Sequence, residues 1–340
     1  MSIHKVQAPY LLLIGDIESA SFAKTAFGLR DWTPNACLAQ LRFTDTAVDL
    51  GLPEMSPNQA ASAGAKTLVV GIAPPGGQLP ESWHPTIIAA LEAGLDVAAG
   101  LHQKLIDIPE FAKCAAKSNR QIHDVRYSDT KFPVGTGVRR SGRRLLTVGT
   151  DCALGKKYTA LAIAKEMTAR GLMAEFRATG QTGILISGSG VAVDAVVADF
   201  IAGAAEALSP SNTADHWDIV EGQGSLFHPA YAGVALGLLH GSQPDALVLC
   251  HDPTRKRLNG FPHMPVVSID EAIAANLSAA RLTNPQVRFV GISLNTSAMS
   301  EDEATTTLRE TANSSGLPCV DPIRTGVDSI VGLLEDFDRS

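Results

Sequence analysis

The sequence predicts an α/β protein made of two parallel-sheet domains in tandem, and three observations carry that prediction. Short apolar runs alternate with helix-spaced segments along most of the 340 residues, the pattern of a parallel sheet with helices on its faces. The run Leu145-Leu146-Thr147-Val148 leads into Gly149-Thr150-Asp151-Cys152-Ala153-Leu154-Gly155-Lys156-Lys157-Tyr158-Thr159, and then into an apolar helix over 160–167. Strand, glycine-bounded turn and helix in that order are the context a phosphate-binding loop requires. Farther on, Trp217-Asp218-Ile219-Val220 closes in Glu221-Gly222-Gln223-Gly224, an apolar strand ending in an acidic residue and a glycine turn, as expected beside such a loop. The prediction is a P-loop NTPase-like domain with a parallel sheet over 136–340, preceded by a smaller Rossmann-like α/β domain over 1–135.

The first half opens with a buried strand, Pro9-Tyr10-Leu11-Leu12-Leu13-Ile14-Gly15-Asp16, and helical spacing over 19–28. Extended pieces are expected at 36–41 and 47–50. Thr67-Leu68-Val69-Val70-Gly71-Ile72-Ala73 reads as a parallel-type strand, followed by the loop Pro74-Pro75-Gly76-Gly77. A helix over 85–93, a strand over 96–99, a helix over 104–118 and a strand over 121–125 complete the alternation. Ligands of such sheets meet the carboxyl ends of the strands, so the loops 15–19, 71–77 and 100–104 are candidate contacts. None matches a dinucleotide fingerprint. His102 and Lys104 suit an anion, although a solvated loop is the plainer reading of His102. A linker is expected over 131–138.

In the phosphate loop, Gly149 and Gly155 free the backbone to curl so that its N–H groups point inward. The following helix start adds unpaired donors and a positive dipole end. Lys156 supplies a mobile charge for a phosphate. Five residues separate the glycines instead of four, and Lys157 stands where a Ser or Thr hydroxyl would hold Mg²⁺. A second ammonium there competes with a metal and can itself neutralise phosphate. Thr159 is a poor substitute, being too far along the helix. Cys152 is open to two readings, a reactive thiol near a helix N-terminus or a small side chain packed under the loop.

The second half continues with a strand over 172–177 and the polar turn Ala178-Thr179-Gly180-Gln181-Thr182-Gly183. Arg177 is placed to hold a carboxylate or phosphate, with a strand-end salt bridge as the alternative; Gln181 is a further candidate substrate contact. A helix is expected over 191–208, with Asp194 near its start as a candidate base. Glu221 could hold a metal, orient water or accept a proton. His228 follows its turn closely enough to face the same ligand. Strands over 245–250 and 287–294 end in His251-Asp252-Pro253-Thr254-Arg255 and Asn295-Thr296-Ser297, and Asn295 is a candidate adenine contact. Helices over 270–281, 301–314 and 326–335 cover the sheet.

Composition narrows the classes. A net charge of −7 and the lack of a broad basic face argue against a nucleic-acid binder; Arg139-Arg140-Ser141-Gly142-Arg143-Arg144 reads as a solvated linker before a strand. Five scattered cysteines without CxxC spacing point to a reducing cytoplasm and no structural zinc. No apolar run reaches the roughly 18 residues of a membrane span, and Met1-Ser2-Ile3-His4-Lys5 begins no signal peptide.

The phosphate loop, the Glu221 turn and the half ahead of them together resemble the D-glutamate N-acetyltransferase family, bacterial proteins long described only as a domain of unknown function. The likeness runs through residues 68–77, Gly100-Leu101-His102, 149–159, 177–183, 194–199 and 221–224. The second half also looks like the dethiobiotin-synthetase group, through Gly149-Thr150-Asp151, the five-residue spacing, Gly155-Lys156 and Glu221-Gly222. Lys157 departs from that second group. The first resemblance implies acetyl transfer from acetyl-CoA to the amino group of D-glutamate, often beside an enolase-superfamily racemase, in a cytoplasmic enzyme whose apolar composition would suit a homo-oligomer. Gly149, Thr150, Asp151, Cys152, Gly155, Lys156, Lys157, Thr159 and Asn295 would then hold the coenzyme. Glu221 is the first expected base, with Asp194 or His228 behind it; Arg177, Gln181 and His102 would meet the amino acid, and no resident metal is needed. The rival readings are an ATP- and Mg²⁺-dependent ligase or kinase, and a nucleotide-sensing protein without turnover.

Overall fold

The computed structural model describes residues 2–3, 6–20, 22–73, 75–128 and 130–337; Pro74 of the expected glycine loop, with Met1, His4 and Lys5, lies outside them. The chain forms two compact units, residues 1–130 with 180–192, and residues 131–179 with 193–340.

In the first unit, five strands make one parallel sheet: β1 (Tyr10–Gly15), β2 (Cys37–Arg42), β3 (Thr67–Val70), β4 (Asp96–Ala99) and β5 (Ile122–Asp124), in the order β2-β1-β3-β4-β5. Every residue of β1 and β3 is buried, which is why both read as continuous apolar runs and not as alternation. Helices α1 (Lys24–Trp32), α2 (Pro57–Ser62), α3 (His84–Glu92) and α4 (Pro109–Ser118) complete the layers. The helix expected over 104–118 begins only at Pro109, whose fixed φ and missing N–H suit a first helical position. Residues 47–50 form no strand. There Gln40 takes the Leu50 N–H at 2.7 Å and donates to Asp49 at 2.7 Å, replacing ladder bonds with a side-chain bracket.

The second unit is built on six parallel strands: β6 (Arg143–Gly149), β7 (Ala174–Arg177), β8 (Trp217–Val220), β9 (Ala246–His251), β10 (Arg288–Leu294) and β11 (Cys319–Val320). Their order is β11-β10-β9-β6-β8-β7, which puts the phosphate-loop strand in the middle, flanked by β8 and β9. Helix α5 (Lys156–Ala169) follows the loop. After β7 the chain leaves this unit for residues 180–192, where α6 (Gln181–Ser187) packs in the first unit with Thr182 Oγ1 3.0 Å from Thr25 Oγ1. That excursion departs from the simple division at 135/136, and no local change of composition marks it. The helix expected over 191–208 is instead two 3₁₀ turns, Val193–Ala195 and Ala198–Phe200, and then α7 (Ile201–Leu208). The valines at 191, 193, 196 and 197 are stiff at χ1 and weaken the helix there. Helices α8 (Ala232–Ser242), α9 (Ile269–Ala280), α10 (Glu301–Ser315) and α11 (Asp328–Glu335) follow, with capping boxes at Ser268/Glu271 and Ser300/Glu303. A small antiparallel hairpin, Arg257–Leu258 with Phe261–Pro265, has no counterpart in the sequence expectation. No helix among the described residues is long and apolar enough to cross a membrane.

Candidate functional site

The loop after β6 curls as its glycines suggest. Ala153 (φ 54°) and Gly155 (φ 102°) both adopt left-handed backbone, and Gly155 caps α5. Lys156 opens that helix but folds back across the loop, where its Nζ donates to the Asp151 carbonyl at 2.7 Å. The side chain is buried at 6% exposure, and burial pushes the ammonium pKa down. A Cβ on Gly149 would stand 3.1 Å from that Nζ, so the first glycine leaves room for the lysine to cross.

The outer side of the loop is braced by Asp151, expected against the coenzyme, together with Arg255 and Asn259, to which the sequence assigns no role. Asp151 is fully buried, and its carboxylate accepts from the Cys152 N–H (2.6 Å), from Arg255 Nη1 (2.9 Å) and from the Asn259 N–H (2.8 Å). Arg255 also donates to the carbonyls of Cys152 (2.6 Å) and Ala153 (3.3 Å). A loop whose N–H groups turn inward must turn carbonyls outward, and those need donors. Arg255 supplies them. Asp151 therefore ties the loop to the segment after β9; its carboxylate is not offered to a ligand. Arg255→Ala leaves a buried carboxylate short of its charge partner. We expect a loss of about 3 kcal/mol of stability, read by denaturant unfolding, with phosphate-ligand affinity falling in parallel.

Thr150 is buried, with its Oγ1 2.9 Å from His251 Nδ1 and its N–H donating to the Cys250 carbonyl at 3.2 Å. Cys152 is half-buried, and the Lys157 ammonium lies 5.4 Å over the Tyr158 ring. Thr159 points beneath the loop: fully buried, it donates to the Gly155 carbonyl at 3.1 Å and lies 2.8 Å from Ser293 Oγ. Its expected place against the coenzyme is corrected accordingly, because on an α-helix that position faces the sheet. Thr159→Val should cost about 1–3 kcal/mol by stranding Ser293, while phosphate-ligand affinity of the folded protein, measured by calorimetry, stays unchanged.

Glu221 directly follows β8, at the edge where the loop sits. Its Oε2 accepts the Thr179 N–H at 3.0 Å, and the Thr179 hydroxyl donates to its carbonyl at 2.6 Å. Gln223 Nε2 donates to the same hydroxyl at 3.2 Å, and the Gly222 N–H donates to Thr147 Oγ1 at 2.9 Å. Asn295 lies at the end of β10, its N–H on the His251 carbonyl at 2.8 Å.

Two candidates stand elsewhere, and a third lies beside the loop with its ring already committed. Arg177 lies in register with Val220, yet its guanidinium runs back to Asp218 (2.8 Å), two residues nearer the amino end of β8, and to Glu175 (2.8 Å). The strand-end salt bridge is the outcome. Asp194 is exposed on the first 3₁₀ turn, not on a helix start. His228 is 1% exposed, with Nδ1 accepting from the Ala230 N–H (3.3 Å), Nε2 facing the Asn259 carbonyl (3.2 Å) and the ring stacked on Tyr231. Both nitrogens are engaged, so it braces the loop's neighbourhood. In the first unit, Gln181 stands against Gly100, where a Cβ would come within 2.5 Å of it, and exposed His102 donates its N–H to the Gly77 carbonyl at 2.9 Å. Those two share one edge of that unit's sheet.

Two clusters gather three metal-capable groups within 4.8 Å, Asp151–Cys152–His228 and Glu175–His216–Asp218. In each, an arginine already holds the carboxylates, Arg255 in the first and Arg177 in the second. A guanidinium there opposes a cation.

This fold and loop define a phosphate-binding-loop α/β protein with a Rossmann-like domain ahead of it. The chain belongs to the DUF1611 family, described as a domain of unknown function. Residues 133–331 match its P-loop domain and residues 41–128 its Rossmann-like domain. It is 49% identical over 329 residues to a protein of Tritonibacter scottomollicae named D-glutamate N-acetyltransferase, spanning 97% of this chain and 99% of the relative. A protein of the same name from Pseudoalteromonas sp is 50% identical over 330 residues, with the same spans. The crystal structure of a DUF1611 family protein from Anabaena variabilis is similar throughout, with a TM-score of 0.87 at 32% identity over 97% of this chain and 100% of that one.

Proposed function

We propose that this chain is a D-glutamate N-acetyltransferase, moving acetyl from acetyl-CoA to the amino group of D-glutamate, with the coenzyme's phosphates held by residues 149–157. The observation that carries the reading is near-half identity, across 97% of the chain, to two proteins of that name. They place it in the acyltransferase class of enzymes. The loop supports the choice of coenzyme. Lys157 replaces the hydroxyl that would hold Mg²⁺, Thr159 is turned under the loop, and Asp151 is committed to Arg255. Two adjacent lysines at a helix N-terminus suit the pyrophosphate and 3′-phosphate of CoA through direct contacts.

The test is mass spectrometry of the purified protein with D-glutamate, offering acetyl-CoA in one reaction and MgATP in another. N-acetyl-D-glutamate and free CoA, undiminished by EDTA, are expected. ADP without an acetylated product would overturn the proposal in favour of an ATP-dependent enzyme.

A further inference from the structure

An amino acid's amine is protonated at neutral pH, so acetyl transfer needs a base at the carboxyl edge of the second unit's sheet. The groups expected from sequence fit poorly: Glu221 holds the Thr179 N–H, both nitrogens of His228 are engaged, and Asp194 lies exposed on its turn. Resting on the transferase reading, we infer that His251 is the general base that deprotonates the substrate amine, with Thr150 holding its ring in place. His251 is the last residue of β9, the strand paired directly with the phosphate-loop strand, where Cys250 lies opposite Gly149. Its ring reaches the loop itself, Nδ1 standing 2.9 Å from Thr150 Oγ1. With Nδ1–H donating to that oxygen, Nε2 carries the lone pair, and no described residue bonds it. The ring is half-buried, and its backbone is pinned by the Asn295 N–H on its carbonyl.

The charged groups facing His251 are Asp252, Lys256 and Arg255. Burial lowers its pKa first; Asp252 opposes, while Lys256 and Arg255 add to the lowering. A neutral imidazole at pH 7 is the form a base requires.

The step balances. Nε2 takes one proton from the ammonium, and the freed nitrogen lone pair forms a C–N bond to the thioester carbonyl carbon, giving a tetrahedral oxyanion. As the carbonyl re-forms, the C–S bond breaks and CoA leaves as its thiolate. The second nitrogen proton passes to that thiolate, and His251 returns its proton to solvent.

His251→Asn keeps a hydrogen-bonding group beside Thr150 but removes the base, and His251→Gln places an amide nearer the Nε2 position. Steady-state N-acetylation of D-glutamate would be followed over roughly pH 5–9, with CoA affinity measured by calorimetry. In both variants kcat should fall about 100-fold with CoA affinity within about twofold of wild type, and the acid limb of kcat/KM should vanish. Active wild type with a variant that keeps both its turnover and its acid limb overturns the assignment alone. Equal losses of turnover and CoA affinity also overturn it, making His251 a binding residue. Wild-type protein that makes no N-acetyl product with acetyl-CoA overturns the transferase reading and this assignment with it.

Discussion

Lys156→Met should weaken phosphate-ligand binding at least about 100-fold and yet melt at a higher temperature than wild type. The two effects have one origin. The Lys156 ammonium is buried, and its hydrogen-bond partner is the neutral carbonyl of Asp151 rather than a carboxylate. The buried cation opposes folding, and the downward push on its pKa registers that cost. Methionine fills similar volume without charge, so stability should rise by about 1 kcal/mol, roughly 2–4 °C for a unit of this size. A ligand phosphate is the partner the amine lacks. Charge-assisted bonds contribute about 1.5–3 kcal/mol each, so losing two of them weakens binding by about 100-fold to 10,000-fold. Thermal unfolding and calorimetric titration with CoA and with ATP read the two effects separately. Both ligands carry phosphates, so the result does not depend on which one is native. A variant that melts lower while keeping its affinity would mean that Lys156 is a structural residue and that the loop binds through its backbone alone.

The parts of this site that the sequence discloses are those built locally. Strand, glycine turn and helix succeed one another between Arg143 and Ala169, and Glu221 directly follows a short apolar strand. Periodicity and glycine placement reveal such units because their geometry comes from neighbours in the chain. What the sequence hides is assembled from a distance. Thr150 meets His251, 101 residues on, and Asp151 meets Arg255, 104 residues on. Both encounters follow from β9 lying beside β6, which no spacing rule announces. Arg177 fails for another reason. Its position at a strand end is read correctly, but the direction in which a long side chain runs depends on the neighbouring strand, where Asp218 draws it back from the edge. The excursion of residues 180–192 is hidden too, since 178–183 read as a polar turn, whereas Gln181–Ser187 forms α6 and only its packing assigns it to the first unit.

The contact between Glu221's turn and the phosphate-loop strand yields the largest expected effect on stability. A Cβ on Gly222 would stand 1.6 Å from the Thr147 carbonyl oxygen, 2.7 Å from its carbon and 3.0 Å from Lys156 Cδ. The first two are backbone atoms of a central strand and cannot move aside as a flexible side chain can. Gly222→Ala must separate β6 from the turn, breaking the Gly222 N–H bond to Thr147 Oγ1 and shifting the Glu221 and Lys156 neighbourhood. A cost of about 4 kcal/mol or more is expected, a melting temperature lower by on the order of 10 °C. Gly233→Ala is the control. It makes the same chemical change on α8, where a new Cβ meets nothing within 4 Å, and it should stabilise the protein by about 0.5–1 kcal/mol through helix propensity and unfolded-state entropy. Differential scanning calorimetry of the two variants sets one alanine against the other. If they melt within about two degrees of each other, the turn can retreat from the strand, and the close approach that holds Glu221 beside the loop is not a constraint on the fold.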